Sequence, residues 1–62
     1  MNKLADISRQ FFKELKIYKY RNKKVEDMSD GDVIKYCHWY CEDNNLVDEW
    51  WKFREEKETE LD

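Results

Sequence analysis

Among its 62 residues the chain has no proline, one glycine, one alanine, one histidine and two cysteines. With Gly31 alone, no glycine-rich loop exists to cradle a phosphate or to build an oxyanion hole. Structural zinc takes four ligands, almost always Cys or His. Cys37, His38 and Cys41 supply three, so Glu42 or Asp43 would have to complete the set. No apolar run approaches the roughly 18 residues of a transmembrane helix, and 44% of the residues are charged. The start is not that of a secretory signal, because Asp6 stands where an apolar stretch should begin. These absences point to a cytoplasmic, intracellular chain with reduced thiols, no membrane partner and no cofactor.

The residues that are present suffice for one thin core. A chain this short buries only about 60% of the surface its unfolded state exposes. However, 40% of its residues are apolar, including three Trp, four Tyr and three Phe, and each aromatic buries roughly 150–250 Å². One domain is therefore feasible without disulfide or metal. The nine lysines, four asparagines and four tyrosines use AT-rich codons. That bias fits an AT-rich genome, such as many phages carry.

Periodicity divides the chain into three helical segments. Leu4, Ile7, Phe11 and Leu15, with Ala5 and Phe12 beside them, fall on one arc of about 160° at about 100° per residue. They predict a helix over residues 3–16, with Asn2 as N-cap and Lys13 and Lys16 at the negative end of its dipole. In residues 16–25, Tyr18 and Tyr20 alternate with Ile17, Lys19 and Arg21. This period of two predicts a short extended or hairpin segment, with Asn22 the residue suited to positive φ. Ser29-Asp30-Gly31-Asp32 starts a second helix, in which Ser29 caps and Asp32 bonds back. Val33, Ile34, Tyr36, Cys37, Tyr40 and Cys41 share its apolar arc, and Trp39 falls outside it. Asn44-Asn45 breaks the pattern, and Asn45 with Asp48 restarts it. The third helix should bury Leu46, Val47, Trp50, Trp51 and Phe53, then project its acidic end into solvent and fray. The fold expected is mostly α: a small three-helix domain with a short hairpin between helices 1 and 2.

Catalysis finds little support. Cys37 and His38 are neighbours and point about 100° apart on a helix, so they do not form a nucleophile–base pair. Cys37 and Cys41 lie on the apolar arc, where free cysteine acts as a small hydrophobe.

Binding finds more. Residues 1–24 hold eight bases against two acids, and residues 25–62 hold four bases against thirteen acids. Such asymmetry either draws the two halves together or faces a charged partner. Lys16, Lys19, Arg21, Lys23 and Lys24 surround Tyr18 and Tyr20, a set suited to neutralising phosphates and stacking on unpaired bases. Trp39, with Lys35 nearby, and Trp51 at the edge of its helix are the candidate anchors for a protein partner, since Trp is enriched at interface hot spots.

Residues 18–39 resemble a small motif of short bacterial and phage domains, some of them attached to nucleases. The motif runs Gly-Lys-Tyr-Lys-Gly, then an apolar-x-Asp-apolar step, then a helix bearing Trp. Lys19, Tyr20 and Arg21 match its first part, Val25-Glu26-Asp27-Met28 matches the step, and Trp39 comes about one turn late. Tyr18 and Asn22 stand where the motif has glycine. The resemblance implies a nucleic-acid-processing context and assigns no site residues. The function expected is that of a small non-catalytic accessory factor or inhibitor docking on a larger enzyme of nucleic-acid metabolism or host defence. The alternatives are direct single-stranded nucleic-acid binding through residues 16–24, and mimicry of a DNA backbone by the acidic third helix.

Overall fold

Helix α1 (Lys3–Glu14) starts where the Asn2 side chain accepts hydrogen bonds from the Leu4 and Ala5 amides. It ends by a left-handed turn rather than by running to Lys16. Lys16 takes φ 58°, its amide donates to the Lys13 carbonyl at 3.0 Å, and the Ile17 amide donates to the Phe12 carbonyl at 2.9 Å. This Schellman closure satisfies carbonyls that the helix end leaves open. The computed structural model describes residues 2–60.

The closure delivers the chain into a hairpin of β1 (Lys19–Tyr20) and β2 (Lys23–Lys24), antiparallel with Tyr20 opposite Lys23. Two residues join the strands, and both have positive φ: 52° at Arg21 and 63° at Asn22. That pair is the mark of a type I′ turn, whose twist suits a two-residue hairpin. The sequence identifies Asn22 as the strained position. Arg21 shares the strain because a type I′ turn needs positive φ at both of its central residues.

A single 3₁₀ turn (Val25–Asp27) leads to helix α2 (Asp30–Asp43). Ser29 caps it, accepting from the Asp32 amide at 3.2 Å. The Asp32 carboxylate, expected to bond back to the cap, instead accepts from Lys23 Nζ at 2.9 Å. At the far end Asn45 takes φ 58°, and the Leu46 amide donates to the Cys41 carbonyl at 2.7 Å. Asn45 therefore closes α2 and does not cap the next helix. The Trp50 amide bonds the Leu46 carbonyl, so Leu46 stands at the start of α3 (Val47–Glu60).

The three helices with their intervening hairpin are as the pattern of residues implies. α1 packs on both α2 and α3. The core joins Ala5, Ile7, Phe11 and Phe12 of α1, Met28 of the connection, Val33, Cys37 and Cys41 of α2, and Trp50 of α3. Phe11 sits between Trp50 and Phe53, with ring centroids at 5.0 and 5.1 Å, and Phe12 meets Tyr40 edge-on at 5.9 Å. Aromatic pairs of this kind add about 0.5–1.5 kcal/mol beyond burial. Among the described residues Ser8 is the buried polar one, and its hydroxyl donates to the Leu4 carbonyl at 2.9 Å. Trp51 is an exception to the expected buried face. It is 53% exposed, because Trp50 and Phe53 already occupy the side of α3 that meets Phe11.

Candidate functional site

The hairpin divides the basic segment between two surroundings. On one side it docks on α2. The Tyr20 hydroxyl donates to the Asp43 carboxylate, and its ring stands edge-on to Tyr36 and Tyr40. Arg21 reaches Asp43 at 3.2 Å and lies over the Trp39 indole at 4.6 Å. Lys23 pairs with Asp32. Tyr20, Arg21 and Lys23 are thus partnered within the fold. Arg9 behaves likewise, 2.8 Å from Asp30 and 3.5 Å from Asp6. Three pairs, Arg9–Asp30, Arg21–Asp43 and Lys23–Asp32, tie the basic half to the acidic half. Part of the charge asymmetry therefore closes on itself.

The paired groups show the expected electrostatic response. Donation from Tyr20, then Arg21, holds the Asp43 carboxyl below the usual range, and Lys23 does the same for Asp32. The Asp43 hydrogen bond pushes the Tyr20 hydroxyl up.

On its other side the hairpin and the C-terminal half of α1 enclose an open groove of about 540 Å³. Ile17, Tyr18 and Val25 give it an apolar lining, while Arg9, Lys13, Lys19, Lys24 and Glu26 stand around them. Lys13 also borders a shallower hollow shared with Gln10, Glu14 and Lys16. Among the described residues no ion pair engages Lys13, Lys16, Lys19 or Lys24. Tyr18 is 65% exposed. Of the seven residues in 16–24 that suit nucleic acid, the structure groups Tyr18, Lys19 and Lys24 at this groove, puts Lys16 beside it, and turns Tyr20, Arg21 and Lys23 away. Sequence reasoning missed Arg9, Lys13 and Glu26. The spacing of Arg9 and Lys13, four apart on one face of α1, was the available signal.

The candidate protein-binding residues do not form one patch. Lys35 Nζ stands 5.2 Å from the Trp39 ring, and that ring also tilts against Tyr36 at 5.2 Å. Trp39 is half-buried between Arg21 and Lys35. Trp51 belongs to another face, with the Arg54 guanidinium 4.4 Å over its ring. Arg54 also reaches Glu58 at 3.8 Å.

Cys37 and Cys41 are buried as free thiols. Burial pushes both thiols up, most strongly at Cys37. His38 points outward, 3.3 Å from Glu42. Among the described residues no three His, Cys, Asp or Glu side chains gather as a metal site, and no helix is long and apolar enough to cross a membrane.

The sequence matches no protein-family model, and neither a curated protein nor a solved structure shows significant similarity to it.

Proposed function

We propose that this chain is a small non-catalytic interaction protein, an accessory factor or inhibitor that docks on a larger enzyme of nucleic-acid metabolism or host defence. The observation that carries this reading is Trp51, a 53% exposed indole on a helix that meets Phe11 through Trp50 and Phe53 instead. Trp, Tyr and Arg dominate interface hot spots. Here an indole and a guanidinium are stacked together on the surface, so the ring is oriented before any partner arrives. Such pre-organisation lowers the entropic cost of binding. Asp48, Glu55 and Glu58, at i−3, i+4 and i+7 from Trp51, are exposed on the same side of α3, which steers this face towards a basic surface of the kind that enzymes handling nucleic acid carry. The non-catalytic reading excludes Cys37 and Cys41 as nucleophiles, since both are buried. A thiol buried among apolar groups holds its proton and is a poor nucleophile.

The test is to recover partners on the immobilised protein, identify them by mass spectrometry, and measure the purified pair by calorimetry. Trp51→Ala should weaken binding by about 2 kcal/mol or more, the hot-spot scale, with an unchanged melting temperature. A partner bound equally well by Trp51→Ala would remove this face from the function.

A further inference from the structure

The groove between α1 and the hairpin is independent of the Trp51 face. We propose that it binds single-stranded nucleic acid, with an unpaired base stacked on Tyr18 and the neighbouring phosphates held by Lys13, Lys19 and Lys24.

Three features select this ligand. The first is charge. Three lysines with no ion-pair partner among the described residues border the groove against a single glutamate, Glu26, while the arginine on its wall, Arg9, is occupied by Asp30. An uncompensated ammonium cluster is complementary to a ligand carrying several phosphates, which gains by releasing condensed counterions. The second feature is the lining. Ile17, Tyr18 and Val25 present apolar surface inside that basic border, and a flat, weakly polar base can cover it. An acidic peptide would satisfy the lysines and leave this surface wet. The third is Tyr18 itself. Among the described residues it is one of two large hydrophobic side chains left mostly exposed, and its ring has no aromatic stacking partner there. Aromatic platforms of this kind take any base with a free π-face. In a duplex those faces are covered by stacking, and only the backbone remains to be touched.

The end of α1 lies close by, and its partial negative charge opposes an anion. The Schellman bonds that occupy the Phe12 and Lys13 carbonyls reduce that opposition, as do the ammonium groups of Lys13 and Lys16. The same geometry excludes Tyr20, Arg21 and Lys23 from the ligand set. They hold the hairpin to α2, so their loss should loosen the fold rather than remove a phosphate contact.

Fluorescence anisotropy with a labelled oligothymidine of about ten nucleotides, within the site sizes of single-strand binders, provides the test. Between about 50 and 200 mM salt, log affinity should fall against log salt with a slope of about −2, which is about −0.7 for each of the three phosphates neutralised. Replacing Lys13, Lys19 and Lys24 with Gln should flatten that slope, whereas Lys52→Gln on α3 should leave it as it is. Tyr18→Ala should weaken binding roughly five- to 150-fold, the range set by one stacked base, and Tyr18→Phe should restore it. Circular dichroism melts establish that each variant is folded. Four outcomes would overturn the proposal: no binding at about 50 mM salt, unchanged affinity in Tyr18→Ala, a slope unaffected by the three Gln replacements, or displacement of the oligonucleotide by polyglutamate as readily as by unlabelled oligothymidine. None of these bears on Trp51, so the two sites stand or fall separately.

Discussion

The guanidinium of Arg21, at the tip of the hairpin, lies 4.6 Å above the indole of Trp39, in the middle of α2. This contact explains why a tryptophan outside the apolar arc of its helix is half-buried. The hairpin folds back over it, and Tyr20 and Arg21 both fasten to Asp43 one turn further on. Trp39 thereby becomes part of the surface on which the hairpin rests. Trp39→Ala should cost the isolated domain about 1–2 kcal/mol, within the ordinary range for a partly buried side chain. Trp50, 3% exposed against Phe11, should cost about 3–5 kcal/mol on the same change, as core aromatics do. Thermal melts of the two variants check the ranking. Equal losses would place Trp39 in the core, and no loss at all would mean that the hairpin does not depend on it.

Lys16 offers a test in the stabilising direction. Its φ of 58° is a conformation that costs an L-residue roughly 1–2 kcal/mol and glycine very little. Its side chain has no ion-pair partner among the described residues. Lys16→Gly should therefore stabilise the domain by about 1 kcal/mol in urea unfolding, with the slope of the transition unchanged. A destabilised variant would mean that the Schellman turn is held by the lysine side chain rather than tolerated despite it.

The helices and the hairpin could be read from the sequence because their determinants are local. Leu4, Ile7, Phe11 and Leu15 repeat at the helical period, Ser29 and Asn2 are caps within reach of their own helices, and Asn22 suits the turn it occupies. Asn45 was ambiguous on local grounds, since the same residue type serves at the end of one helix and at the start of the next. What could not be read is non-local. Arg21 and Asp43 are 22 residues apart, and Lys23 could have paired with any of several nearby acids. Only the packing of the hairpin on α2 decides which bases of residues 16–24 are consumed and which are left at the groove. The exposure of Trp51 has the same origin. Its period fits a buried face, and the choice of Trp50 and Phe53 instead depends on where Phe11 lies.

The two cysteines should be slow to react in the native state. Cys37 and Cys41 are buried, and burial pushes both thiols up, so neither solvent access nor thiolate is available. Titration with a chromogenic disulfide at about pH 8, near the free-thiol range, should show both reacting only as the domain opens, at a rate that rises with urea. Two thiols reacting at once in buffer would contradict this packing. Chelator treatment belongs in the same experiment. The apolar arcs alone account for both side chains, so helicity by circular dichroism should be unchanged. Helicity lost on chelation and restored by zinc would contradict that account.

The hairpin latch also predicts how stability responds to pH. In the folded chain the Asp43 carboxyl is held low by donation from Tyr20 and then by Arg21, and Asp32 is held low by Lys23. In the unfolded chain both carboxyls titrate near about 3.9. Around and below that pH the unfolded chain binds more protons than the folded one, so acid favours unfolding. The contribution of these carboxylates is present above about pH 4 and is lost as the pH falls through their depressed folded values. Tyr20 and Lys23 have the opposite sign. Hydrogen bonding to Asp43 raises the Tyr20 hydroxyl, and hydrogen bonding to Asp32 raises the Lys23 ammonium. Their contribution is present below their unfolded values near about 10 and is lost as the pH rises beyond. Melting temperature should therefore run flat from about pH 5 to about pH 9 and decline on both sides. Asp43→Asn should make the acid limb shallower, because one titrating partner is gone. It should also make the Tyr20 part of the alkaline limb shallower, because the hydroxyl no longer faces a carboxylate. Asp32→Asn should alter the acid limb and the Lys23 part of the alkaline one. If Asp43→Asn leaves both limbs as steep as in the parent chain, Tyr20 and Arg21 do not hold that carboxylate in solution, and the hairpin is fixed to α2 by its aromatic contacts and the Lys23–Asp32 pair.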